Sequence, residues 1–113
     1  MSKKAMISQP MRGKTREQIE SERAEAVKML EAEGYEVAET IFHFDEDELA
    51  AAGVVNKPLY YLSKAIEAMS TCDTVYFCSG WSDARGCCVE YDAAMRYGLQ
   101  VECIGWQKTC EEG

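Results

Sequence analysis

The chain has 113 residues, 20 acidic and 12 basic side chains, a net charge of −8 and 47% hydrophobic content. That length suits one domain, residues 1–113, with a single core, and the composition argues against a disordered chain. The negative charge disfavours a nucleic acid polymer as partner; no apolar run approaches the roughly 20 residues of a membrane span, and "MSKKAMISQP" lacks the apolar stretch of a signal peptide, so a cytoplasmic location with no membrane partner is expected.

Residues 4–8, "KAMIS", read as a short buried strand, followed by the loop "QPMRGKT". Residues 15–34 read as an amphipathic helix. Thr15 and Gln18 form a capping-box signature. Ile19, Ala26, Val27 and Leu30 recur at helical spacing, and Gly34 supplies the stop. "YEVAETIF" predicts a second strand. Residues 43–57 are acidic and partly loop-like, long for a connection in so small a domain, as lids and ligand loops are. Asn56 can cap the next helix, with Pro58 near its first position. Leu59, Leu62, Ile66 and Met69 mark its buried face. "TVYFC", residues 74–78, is the clearest strand. "ARGCCVEYDAAMRYG", residues 84–98, predicts a third helix, and "QVECIGW", 100–106, a last strand before a polar tail. Strand and helix alternate throughout, which predicts a small parallel sheet of about four strands with helices on both faces.

Six cysteines invite a metal reading. Cys72, Cys78, Cys87, Cys88, Cys103 and Cys110 contain no C-x-x-C pair, however, and His43 is the lone histidine. Structural zinc usually shows short paired spacing. Free thiols acting as small apolar residues are the favoured reading, with no metal expected.

Ligands of open α/β sheets bind beyond the carboxyl ends of the strands. That rule gathers Ser8, Gln9, Pro10, Met11, Arg12 and Gly13; His43 and Phe44; Ser79, Gly80, Trp81, Ser82, Asp83, Arg85 and Gly86; and Trp106. "SQPMRGKT" feeds a helix N-terminus. Its free N–H groups, with Arg12, Ser8 and Thr15, would suit a phosphate; the alternative is a plain turn with a solvated arginine. Glu90 lies about one turn into its helix. The helix dipole alone can account for an acid there. The functional alternative is a carboxylate at the ligand edge, able to attack a sugar carbon or stabilise its cation. Tyr60, Tyr61, Phe44, Trp81 and Trp106 could stack on a base or fill the core, and Trp81 is the foremost stacking candidate.

"GCCVEYDAAMRYG" resembles the G-x-x-x-E-x-x-x-A motif of nucleoside 2-deoxyribosyltransferases and deoxynucleoside 5'-monophosphate N-hydrolases, with Gly86, Glu90 and Ala94 in register. "SQPMRG" is similar to the first, phosphate-holding loop of the N-hydrolases, where Arg12 and Gly13 are the safer carry-over. "ISQPMRGKT", "NKPLYYLSKAIEAM" and "YFCSGWSDARGC" resemble a family of phages and their bacterial hosts, the domain of unknown function 4406. The resemblance implies a flavodoxin-like three-layer sandwich of the deoxyribosyltransferase type. It implies a glutamate nucleophile, Glu90, that attacks the anomeric carbon of a nucleoside or nucleotide and expels the base, without a cofactor. The enzymes carry a cooperating aspartate near the start of the helix before strand 3. Here "PLYYLSKAIEAM" offers Tyr60, Tyr61, Ser63, Lys64 and, a turn late, Glu67. Asp83 could substitute from the loop as the second catalytic group, and Asp73 reads as structural. The ligand-binding residues implied are Ser8, Gln9, Arg12, Gly13, Ser79, Trp81 and Gly86. The alternatives are a non-catalytic nucleotide binder and an oligomeric scaffold without a small ligand. A homo-oligomer is expected in every case.

Overall fold

The computed structural model describes residues 3–103. The elements follow in the order β1 (Lys3–Ser8), α1 (Arg16–Ala32), β2 (Tyr35–Val37), α2 (Glu46–Ala51), α3 (Lys57–Met69), β3 (Thr74–Phe77), a 3-10 turn (Trp81–Asp83), α4 (Arg85–Arg96) and β4 (Gln100–Cys103). The four strands form one sheet in the order β2-β1-β3-β4. All three pairings are parallel, as the alternation of elements predicts. The layout is an α/β sandwich compatible with a flavodoxin-like arrangement.

Side-chain alternation assigns the two faces. Ala5, Ile7, Tyr76 and Cys78 pack with Ala26 and Leu30 of α1. Met6, Val75 and Phe77 point the other way, into a cluster with Ala65 and Met69 of α3 and Cys87 and Ala94 of α4. The central strands β1 and β3 are thus buried on both sides, which is why they read as near-continuous apolar runs.

The helix starts form where the local chemistry predicts. Thr15 caps α1 through a reciprocal capping box with Gln18. The Asn56 side chain accepts the Leu59 N–H at 3.0 Å, with Pro58 in the first turn of α3. Asp73 is structural, as expected: its carboxylate accepts the Lys4 N–H at 3.0 Å and its backbone bridges Lys4 and Gln100.

Three expectations are corrected. The second strand spans three residues rather than eight. Its ladder ends at Ala38, whose N–H reaches Ala5, and the Thr40 hydroxyl then takes the Ile7 carbonyl. The 43–57 stretch is no plain loop, because Asp45 and Glu48 form a capping box that starts α2. On the buried face of α3 Leu59 departs, at 59% exposed, while Met69 is buried with Ala65 and Ile66 packs against the core as expected. In the last predicted strand, residues 104–106, including Trp106, lie outside the described residues.

Candidate functional site

The strand order changes direction between β1 and β3, whose last residues, Ser8 and Phe77, are paired in register. A cleft at such a switch point is where open α/β sheets place their ligands. Two loops meet there. The Cys78 N–H bonds to the Ser8 carbonyl at 3.0 Å. A Cβ on Gly80 would lie 3.7 Å from Pro10 Cγ.

Ser8 lies on the same face as Met6, toward α4. Its hydroxyl donates a hydrogen bond to Glu90 Oε1. Ser8 is 2% exposed and Glu90 8%, and Glu90 is the one buried charged residue among the described residues. Loss of water around it pushes the Glu90 pKa above the usual carboxylate value, and the Ser8 hydroxyl partly opposes that rise. A carboxylate with a raised pKa is a better nucleophile and base when ionised. Among the described residues no hydrogen bond reaches its second oxygen, Oε2.

Burial pushes the pKa of the Cys87 thiol, one turn earlier in α4, up to about 11, and the Ser8 side chain acts to lower it. Cys78 rises to about 11 for the same reason, and Cys72 is raised too. These thiols remain protonated and pack as small apolar groups, as expected. Cys88 differs: it is exposed, and its sulfur approaches the carbonyls of Trp81 and Ser82. Cys103 is disulfide-bonded and so departs from the free-thiol expectation. Among the described residues no group of three or more His, Cys, Asp or Glu side chains is placed to hold a metal ion.

The other expected residues divide. Arg12 is exposed in the loop after β1, and Gly13 takes a φ of 79°, the left-handed turn conformation that favours glycine. Lys14 is held by both oxygens of Glu22, at 2.9 and 2.8 Å. Gln9 turns inward: its amide donates to the Ile19 carbonyl at 2.7 Å and to Glu22 at 3.3 Å. Ser79 is exposed beyond β3. Gly86 sits in the first turn of α4, whose N-terminus has no side-chain cap. A Cβ there would meet nothing within 4 Å, so packing does not demand glycine. Asp83 is exposed in the 3-10 turn and makes no hydrogen bond to Glu90.

Of the two alternatives for Trp81, the packing shows the core contact. Trp81 is 9% exposed and stacks on Tyr91 at 4.7 Å, with Phe77 at 5.2 Å. The 3-10 turn rolls the indole under the loop, onto α4. Phe44 instead forms an aromatic group with Tyr60 and Tyr61 at 5.2 and 5.3 Å. The α3 side chains considered as partners of Glu90 are engaged elsewhere. Ser63 donates to the Tyr60 carbonyl, Lys64 pairs with Glu67 at 3.8 Å, and the Tyr61 hydroxyl accepts the Phe44 N–H.

A family model described as "Domain of unknown function (DUF4406)" matches residues 3–103. The chain belongs to the DUF4406 family. No curated protein and no solved structure matches it. The matched span of this DUF4406 protein contains Ser8, Arg12, Cys87 and Glu90, so the whole candidate site lies inside the family domain. No helix among the described residues is long and apolar enough to cross a membrane.

Proposed function

We propose that this DUF4406 protein is a cytoplasmic nucleoside or nucleotide binder of the deoxyribosyltransferase type that cleaves or transfers the N-glycosidic bond through Glu90. The observation that carries the reading is the buried Ser8–Glu90 pair at the switch point of a parallel sheet. An acid that only answered a helix dipole would gain more by staying in water, because burial disfavours its charge. Retaining such a group at a ligand edge is what nucleophilic chemistry requires.

In the proposed reaction a Glu90 oxygen bonds to the anomeric carbon as the carbon–nitrogen bond breaks. The electron pair leaves with the base, which takes up a proton. Water or a second base then displaces the carboxylate and restores Glu90. The transition state is cationic at carbon, so an adjacent carboxylate lowers its energy. Arg12, Gly13 and the first loop would hold a phosphate, and Asp83 is the proposed second group, acting on sugar or base. No organic cofactor or metal enters the scheme. Self-association into a homo-oligomer belongs to the same reading.

One observation favours the rival reading of a non-catalytic nucleotide binder: the hydrogen-bond partner of Glu90 is Ser8, not Asp83. A panel of deoxynucleosides and their 5'-monophosphates separates the two. Enzymatic release of free base that Glu90→Gln abolishes is the expected result. Tight binding without release identifies the binder instead. In the same panel Arg12→Ala is expected to lose the preference for monophosphates over nucleosides; an unchanged preference removes the phosphate role of the loop.

A further inference from the structure

We infer that Ser8 is the positioning residue of Glu90, aiming one carboxylate oxygen inward so that the other is presented to the ligand. This rests on the reading of Glu90 as the reacting carboxylate. The donors of the first loop suggest a phosphate role for Ser8, but its hydroxyl is given to Glu90. Its backbone is locked at the end of β1, in register with Phe77 and bonded to Cys78. Its side chain is buried on the α4 side, where it reaches Glu90 Oε1.

The ionised carboxylate can only accept, which settles the direction of the Ser8 hydroxyl. A hydroxyl has one proton to give and two lone pairs. With its pKa pushed up to about 11, Cys87 is protonated at neutral pH and does not compete as an anion for the Ser8 proton. The Ser8 proton is thereby left for Glu90. Ser8 from β1 and Cys87 from its own helix are the groups facing the carboxylate; no charged side chain of the neighbouring described elements bears on its protonation. A hydrogen bond to the ionised form favours that form, so Ser8 both orients Glu90 and offsets part of the penalty of its burial. With Oε1 committed to Ser8, Oε2 is the oxygen assigned to attack.

The test uses the whole protein without substrate. Glutamate labelled with carbon-13 at the carboxyl group reports each titration, and the Glu90 signal is the one lost in Glu90→Gln. Ser8→Ala removes the donor, and Ser8→Cys keeps a weak one at slightly larger volume. The Glu90 midpoint is expected lowest with the native serine, intermediate with cysteine and highest with alanine. A midpoint unmoved in Ser8→Ala, or an order that follows side-chain volume, overturns the inference. Failure of base release in the native protein would count against the glycosidic reading and leave this titration standing. Where base is released, Ser8→Ala is expected to lower kcat about tenfold with KM little changed, and to move the pH profile upward. A loss in KM alone would assign Ser8 to ligand binding instead.

Discussion

At the scale of single residues, Glu90 carries a cost in stability that can be measured. Burial raises its folded-state pKa above the unfolded value. Between those two values the folded state holds the extra proton, so stability falls as pH rises through that window. Below the unfolded value, near 4.5, both states are protonated and the penalty disappears. Glu90→Gln keeps an acceptor for Ser8 and removes the charge. Its melting midpoint at pH 7 is expected above that of the native protein, by roughly 4–8 °C for about 1 kcal/mol in a domain of this size. The advantage should vanish as pH falls below 4.5. A lower midpoint at pH 7 would mean that the charge stabilises the fold, and that Glu90 is structural.

At the scale of elements, the 3-10 turn and α2 show where local reading succeeds and fails. Asp45-x-x-Glu48 is a start signal visible in the sequence, and it builds α2 as written. It was masked by the surrounding acids, which give the stretch the look of a solvated loop. Trp81 is the opposite case. Its Gly and Ser neighbours suggest an exposed ring, but the left-handed Gly80, at φ 87°, starts a turn that swings the indole onto Tyr91. Trp81→Ala is therefore expected to destabilise the protein by about 3–5 kcal/mol, as removal of a buried aromatic ring does. Chemical denaturation measures this directly. A variant of native stability that loses only ligand affinity would restore the stacking role. Leu59 departs too: helical spacing places it on the apolar stripe, but in the first turn of α3 it is 59% exposed.

At the scale of the whole molecule, a four-stranded parallel sheet leaves apolar surface in view. Val55 is 99% exposed and Tyr97 85%, with Leu59, Met95, Val89 and Met11 also exposed. Light scattering on the purified protein is expected to give a multiple of the 12.7 kDa chain mass; a monomer at all concentrations would remove self-association from the proposal. The sequence by itself determined the alternation of elements, the caps at Thr15 and Asn56, and the parallel sheet. These follow from spacing along the chain and from side chains bonding to their own backbone within a turn. It also singled out Glu90 and the loop after β1, because both sit where strand ends must lead. Only the tertiary structure decided that the Ser8 hydroxyl meets Glu90, that Gln9 is tied to α1, and that Trp81 is buried. Those choices depend on which side of the sheet a strand-end residue faces and which helix lies there. Ser8 and Glu90 are 82 residues apart, and no local rule relates them. Register across β1 and β3, and the docking of α4 on one face, bring them together.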